Sequence, residues 1–381
     1  MNRASRAEQH QALVRRAPEV VVEQRGTPVP GAGEVLIAPT IAGLCGTDIQ
    51  MLRGLRSDPA PVIGHEGVGH IVALGAGASD RFTVGDLVVV NPTHPTDDAF
   101  LLGHNIDGML QERVLIPASA VEGGLVLSVP ELPTPELFAL LEPLAAVRYS
   151  MSLLEPEHPE VLVVYGDGVV GHLAVRAAAR WLDSVKETVL VHHTEHGLKW
   201  TSSAGTGPDI SSRLDHVEEV RAAVAGRASA ALVATPRNAT VACLESALRA
   251  LPEPTTIDLV GGLAADARTP LLPGVDPGAV RRANRAGFPQ PGRIDRVRTA
   301  SGKWVGLTGH RGVSNSHLLD AAAELARVPG RYRDLVTHVT DLDGAAQIMQ
   351  QLSHRTDRTV DGSRLIKLAV RINGRQLLEE R

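Results

Sequence analysis

Cysteine is nearly absent from this 381-residue chain, which has only Cys45 and Cys243. Two distant cysteines build no disulfide framework and fit a reducing compartment. They also exclude a four-cysteine structural zinc site. Aromatic residues make up only 3% of the chain, which is little material for a large apolar pocket and leans toward polar ligands. Positive charge is not in excess, because 38 Lys and Arg against 43 Asp and Glu leave a net charge of -5. Nucleic acid is therefore not an expected partner. No apolar run approaches the length needed to cross a bilayer, so a membrane is not expected either. Met1 to Arg16 carries arginines without an apolar segment after them, which speaks against a secretory signal, and a cytoplasmic protein is expected.

The length suits two domains rather than one core, and 43% hydrophobic with 21% charged content is ordinary for a globular chain. The first third reads as β-rich: Glu34–Ile41, His70–Leu74, Asp86–Val90 and Gln111–Ile116 are short, Val/Ile-rich and bounded by Gly, Pro or Asp. The middle changes character. Val161–Tyr165 is a continuous apolar run, as a strand buried on both faces requires. A glycine-rich turn and the alanine-rich helix His172–Leu182 follow it. Strands at Thr188–His192, Ala230–Ala234 and Thr256–Val260, with a helix at Val241–Ala250, continue the alternation of a doubly wound α/β domain. Cys243 falls on that last helix and reads as core. Ala264–Gly302 is rich in Pro, Gly and Arg, without clear periodicity. Trp304–Thr308 resumes as a strand, Ser316–Arg327 as an amphipathic helix and Ser363–Ile372 as a strand.

Two groups of residues carry chemistry. The first is Gly64-His65-Glu66-Gly67-Val68-Gly69 followed by Gly75, with Gly43-Leu44-Cys45-Gly46-Thr47-Asp48 upstream and Leu141-Glu142-Pro143-Leu144 downstream. Cysteine, histidine and glutamate make three protein ligands and leave a fourth position open, as a catalytic zinc needs. Taken singly, each has a plainer reading: Cys45 as a small core residue, His65 and Glu66 as a buried hydrogen-bonded pair, Glu142 as a helix cap. Their order along one chain favours the metal. The second group is Gly166-Asp167-Gly168-Val169-Val170-Gly171, a G-x-G-x-x-G run between a strand and a helix. Its glycines permit the tight turn, the close approach of a pyrophosphate and close helix packing, and the helix N-terminus supplies N–H groups for phosphate.

Together these groups resemble the zinc-dependent medium-chain dehydrogenase/reductase (alcohol dehydrogenase) family, from about Gly31 to the end. Glu142 before Pro143-Leu144 makes the look closest to the polyol, sugar and threonine dehydrogenases. The resemblance implies metal ligands Cys45, His65 and Glu142, with Glu66 as an alternate or additional ligand. It implies that Asp48 orients His65 and that Thr47 carries the hydroxyl proton away, with Thr47, Asp48 and Glu66 as the catalytic set. Gly166, Gly168, Val169, Val170, Gly171 and His193 would hold the cofactor. The implied fold class is α/β: a Rossmann cofactor domain (148–310) inserted in a GroES-like β-barrel catalytic domain (1–147 and 311–381). Substrate and nicotinamide would meet in the cleft. One catalytic zinc ion, no structural zinc, and a homodimer or homotetramer are implied as well.

Four departures qualify the resemblance. The lobe Asn91–Asp107 has no cysteine; it offers His94, Asp97, Asp98 and His104, and reads as a solvated loop. Gln50 stands where the family often has a proton-relaying histidine, and it cannot titrate. The second strand of the cofactor domain ends His192-His193-Thr194-Glu195-His196, without the usual carboxylate. The histidines with Lys199 could bind a ribose phosphate, so NAD(P) is expected with a lean to NADP; Glu195 restores NAD if the register slips by two. Finally, Arg281, Arg282, Arg285, Arg293, Arg296 and Arg298 crowd 264–302 and read as a solvated loop or subunit contact, or as phosphate ligands. The expected function is oxidoreduction of a polar secondary alcohol or ketone (polyol, sugar or cyclitol). A threonine- or amino-alcohol-type dehydrogenase is the alternative, and a non-enzymatic cofactor-binding protein a third reading.

Overall fold

The computed structural model describes residues 8–372 apart from Ala17, Ser79 and Thr356. The first seven residues of the arginine-bearing N-terminal run lie outside the described residues. In chain order, the first stretch supplies β1 (Gln9–Arg16), β2 (Glu19–Gly26), β3 (Val35–Gly43), α1 (Gly46–Leu52), β4 (Glu66–Leu74), β5 (Leu87–Val90), β6 (Val114–Ile116), α2 (Ala118–Glu122) and β7 (Val126–Ser128). The middle supplies α3 (Leu141–Leu154), β8 (Val161–Tyr165), α4 (Val169–Trp181), β9 (Glu187–His192), α5 (Glu195–Ser203), β10 (Ile210–Arg213), α6 (Val217–Val224), β11 (Ser229–Val233), α7 (Thr240–Ala250) and β12 (Thr255–Leu259). It continues with α8 (Pro277–Arg282), β13 (Asn284–Arg285), β14 (Asp295–Arg298), β15 (Trp304–Thr308), β16 (His310–Arg311) and α9 (Asn315–Arg327). The tail adds β17 (Val336–Thr340), α10 (Leu342–His354), β18 (Thr359–Val360), β19 (Ser363–Arg364) and β20 (Lys367–Arg371).

These elements form two compact units. The first comprises Met1–Glu142, Ala321–Pro329 and Val336–Arg381, the second Pro143–Asp320 and Gly330–Leu335. The packing therefore changes hands at Glu142 rather than at 147, and residues 311–320 and 330–335 belong with the second unit. In the first unit a seven-stranded sheet runs β17-β20-β3-β4-β5-β7, with β6 also paired to β3. The tail strand β20 thus lies antiparallel beside β3, which brings residues from the two ends of the chain into one place. The apolar inner faces of β3, β4, β5 and β6 close on α1 and α10 through Ile37, Met51, Ile71, Val114 and Met349.

The second unit is built on the order β10-β9-β8-β11-β12-β15-β14. Its first six strands are parallel, and β14 joins β15 antiparallel at the edge. Counting parallel strands along the chain gives 3-2-1-4-5-6, the doubly wound nucleotide-binding order. β8, β11 and β12 are buried along their whole length, which is why they read as unbroken apolar runs. Cys243 packs in this core, and burial pushes its thiol up to about 11. The Arg-rich stretch after Ala264 is not featureless, since it forms α8, β13 and β14. One expectation needs correcting. The helical run Pro135–Glu157 is long and apolar enough to cross a membrane by length and composition, with mean hydropathy 1.4. The carboxylates of Glu136 and Glu142 interrupt it in sequence, and 78% of its apolar window is buried inside the fold.

Candidate functional site

β3 ends at Gly43, and Leu44 N–H donates to the Leu368 carbonyl of β20 (3.2 Å). The chain then turns into α1 with Cys45 as the N-cap in extended conformation. Asp48 sits three residues into that turn, and its carboxylate accepts the Cys45 N–H at 2.9 Å. The same fully buried carboxylate faces the His65 ring, Oδ1 to Nδ1 3.8 Å. His65 and Glu66 arrive at the start of β4, and donor atoms of Cys45, His65 and Glu66 lie within 4.8 Å of one another. Lys367 of β20, 1% exposed, grips the Glu66 carboxylate and donates to the Leu44 carbonyl at 3.2 Å. The Thr47 hydroxyl is buried beside this group without a hydrogen-bond partner. Glu142, second residue of α3, stands outside the 4.8 Å set but within its electrostatic reach.

The field in this corner is negative. Burial pushes the His65 imidazole toward its neutral form, yet Cys45, Asp48 and Glu66 outweigh it and carry the ring up to about 10. Burial, then the charge of Glu66, holds Glu142 up at about 7. Burial also raises Asp48. Sulfur, imidazole and carboxylate donors converging where charge calls for a cation are the donor set of zinc. The residues present fit that ion.

The lobe from Asn91 to Asp107 departs from the solvated loop expected for it. His94 Nδ1 accepts the backbone N–H of Thr96 (3.2 Å) and Asp97 (2.8 Å), so the ring staples a tight turn. Asn105 donates to the Asp98 carbonyl at 2.8 Å. His104 is buried, with its ring centroid 4.9 Å from that of His65 and Nδ1 3.3 Å from Asp58. Burial, with His65 and Arg56 adding to it, lowers His104 to about 3 and keeps it neutral. Arg56 in turn holds Asp58 through Nε (2.7 Å) and Nη2 (2.8 Å), which brings its carboxyl down to about 2.

That depressed carboxyl carries a stability prediction. A group lowered on folding stabilises above its unfolded value, near 4, and loses that contribution as pH falls toward 2. Allowing for solvent screening, the Arg56–Asp58 pair is worth about 1 kcal/mol. Urea midpoints at pH 5 and pH 2.5 should therefore fall less steeply for Arg56→Gln than for the unchanged chain. Parallel pH slopes would count against the pair.

In the second unit, β8 delivers the chain into the glycine turn. Gly166 has φ +116, and a Cβ there would meet the Ala234 carbonyl at 2.4 Å. A Cβ on Gly171 would stand 1.8 Å from the Gly166 carbonyl oxygen, so the helix packs directly on the turn. Around Gly168, by contrast, a Cβ would meet nothing within 4 Å. Gly168 caps α4 without a side-chain bond, and the first N–H groups of the helix, at Val169 and Val170, have no carbonyl one turn earlier within the helix to bond. His193 is exposed just past β9, whereas His192 is buried. Glu195 opens α5, past the end of β9, and pairs with Arg213 (2.9 Å). Four of the six arginines singled out in the 264–302 stretch have these protein partners: Arg281 the Val260 carbonyl (3.1 Å), Arg293 Asp295 (2.7 Å), Arg296 Glu157 (2.6 Å) and Arg298 the Gly302 carbonyl (2.9 Å).

The alcohol dehydrogenase GroES-like domain family matches residues 31–124, the stretch that holds Cys45, His65 and Glu66. A zinc-type alcohol dehydrogenase-like protein of Haemophilus influenzae is 30% identical over 227 residues. Residues 31–124 thus carry the alcohol dehydrogenase GroES-like domain, and the chain is similar to zinc-type alcohol dehydrogenases. That alignment covers 55% of this chain and 64% of the relative, so the chain spans just under two thirds of its length. Solved dehydrogenase structures share the fold. An alcohol dehydrogenase of Escherichia coli CFT073 in complex with NADH gives a TM-score of 0.71 at 20% identity, covering 95% of this chain and 99% of that one. The 2R,3R-butanediol dehydrogenase of Bacillus subtilis gives 0.72 at 19% identity, covering 96% and 100%.

Several residues of this site are not marked in the sequence. Lys367, Arg56 and Asp58 carry no local motif. One signal was available: Lys367 is a lone charge inside Ile366–Val370, and a charge in an apolar strand needs a buried partner.

Proposed function

We propose that this chain is a zinc-dependent, NAD(P)-dependent dehydrogenase of a polar secondary alcohol or its ketone, of the polyol, sugar or cyclitol class. The observation that carries this reading is the convergence of Cys45, His65 and Glu66 within 4.8 Å in a chain that also builds an open glycine turn at Gly166–Gly171. Cys45, His65 and Glu142 are assigned as ligands, and Glu66, gripped by Lys367, as the exchangeable one. A bound zinc would supply Lewis acidity to the substrate oxygen, and a bound nicotinamide would accept or donate the hydride. Thr47, whose buried hydroxyl has no partner, takes the substrate's hydroxyl proton. Asp48 fixes the Cys45 turn and faces His65. Gln50 cannot relay a proton onward, so the proton leaves Thr47 through water or another group.

Polarity near the ligands supports a polar substrate, because His104, held by Asp58 and Arg56, packs its ring against His65 where an aromatic wall could stand. Two relatives bear on the class: the butanediol dehydrogenase acts on a diol, and an L-threonine 3-dehydrogenase of Thermococcus kodakarensis, 28% identical over 193 residues, keeps the amino-alcohol reading as the alternative. The cytoplasm as the working compartment, which free Cys45 and Cys243 suit, and a homodimer or homotetramer belong to the same proposal. The test is metal analysis together with cofactor reduction over a panel of polyols, aminocyclitols and amino alcohols. About one zinc per chain and turnover of at least one polyol are expected. Metal-free protein without turnover would leave a non-enzymatic dinucleotide binder.

A further inference from the structure

The corner where an adenosine ribose would rest is built unusually in this chain. In a doubly wound sheet the ribose hydroxyls meet the end of the second parallel strand, beside the glycine turn. Here that strand is β9, and its last residue is His192. Register pairs Tyr165 with Val191, and Gly166 N–H donates to the Val191 carbonyl at 3.1 Å. The next residue of the turn, Asp167, turns its side chain back onto His192. Its Oδ2 lies 3.2 Å from His192 Nδ1. A carboxylate only accepts, so Nδ1 carries the proton and donates. His192 is fully buried and its Nε2 has no partner, which leaves the imidazole a support rather than a contact surface. Asp167 keeps 12% of its side chain exposed at the edge of the turn. The other carboxylates nearby, Glu195 and Asp215, are both tied to Arg213 at 2.9 and 3.1 Å.

Resting on the dehydrogenase reading above, we infer that Asp167, aligned by His192, reads the adenosine ribose hydroxyls and makes this chain selective for NAD(H) over NADP(H). The carboxylate that the strand end lacks is supplied from the glycine turn. A 2′-phosphate would meet that carboxylate at short range in a partly dry corner, where like charges repel strongly. This inference runs opposite to the lean to NADP drawn from the missing strand-end carboxylate. Asp167 is the specificity residue, and His192 is a positioning residue acting through it.

Calorimetric titration of the full chain with NAD⁺ and with NADP⁺ tests this without turnover. The unchanged protein should bind NAD⁺ roughly a hundredfold tighter. Asp167→Asn should weaken NAD⁺ about tenfold and strengthen NADP⁺, so that the ratio collapses. His192→Ala should erode the ratio, and His192→Asn, whose carboxamide N–H replaces Nδ1–H, should restore it; a purely structural role would not distinguish the two. NADP⁺ binding as tightly as NAD⁺, or Asp167→Asn keeping the full ratio, would overturn the ribose assignment and leave the dehydrogenase reading intact. Failure of the unchanged chain to bind either dinucleotide would overturn both. The comparison on the unchanged chain needs no variant to fold.

Discussion

Cys45→Ala is expected to lose its zinc and its turnover together, without losing its fold. Cys45 is the partly exposed N-cap of α1, and its contribution to packing is small beside that of the buried Met51 and Leu52. The Asp48 carboxylate accepts the backbone N–H of residue 45, a bond that alanine retains. What alanine removes is the sulfur of a three-donor group. Without its thiolate ligand, zinc per chain should fall from about one to less than about a tenth. Loss of Lewis acidity removes several kcal/mol of alkoxide stabilisation, so kcat/KM should drop by about 10⁴ or more. Metal analysis, turnover and far-UV circular dichroism on one preparation check all three parts. Retained zinc with retained turnover would remove Cys45 from the metal assignment. Glu142→Gln sharpens the result, because it should lower zinc affinity while leaving the Glu66–Lys367 pair in place.

Both chemical groups were legible in the sequence because their members are close neighbours along it. His65 and Glu66 are adjacent, Cys45, Thr47 and Asp48 share one turn, and Gly166–Gly171 follows a strand whose ends, Val161 and Tyr165, were read to the residue. Local spacing encodes local geometry, and the parallel strands of the second unit announce themselves by unbroken apolar runs. What spacing cannot encode is pairing across the chain. Lys367 meets Glu66 over a separation of 301 residues, and only the antiparallel register of β20 on β3 brings them together. His104 looked like part of a solvated lobe because its burial depends on Asp58 and Arg56 from another loop. Asp167 occupies an unspecified position of the glycine motif, which assigns it no role. Its use depends on the level at which β9 ends beside β8.

Lys367→Met should destabilise the first unit more than any other single side-chain change considered for this protein. The Glu66 carboxylate is 2% exposed and Lys367 is its ammonium partner. Removing one member of a buried pair leaves the other charge uncompensated, at a cost of about 3–5 kcal/mol. Methionine fills nearly the volume of the lysine stem, so the loss is electrostatic rather than a cavity. Denaturant unfolding of metal-free protein should show that loss. Adding Glu66→Gln to Lys367→Met should recover most of it, a coupling of about 2 kcal/mol or more between the two positions. Additive effects would mean that the pair contributes little, and that the lysine is kept for another reason. The pair also bears on the metal. Lys367 holds Glu66 by one oxygen while Cys45 and His65 stand within 4.8 Å of it, so the lysine competes with any cation for that carboxylate. Removing it should therefore tighten zinc binding even as it weakens the apo fold, and zinc titration of Lys367→Met would show those two effects moving in opposite directions.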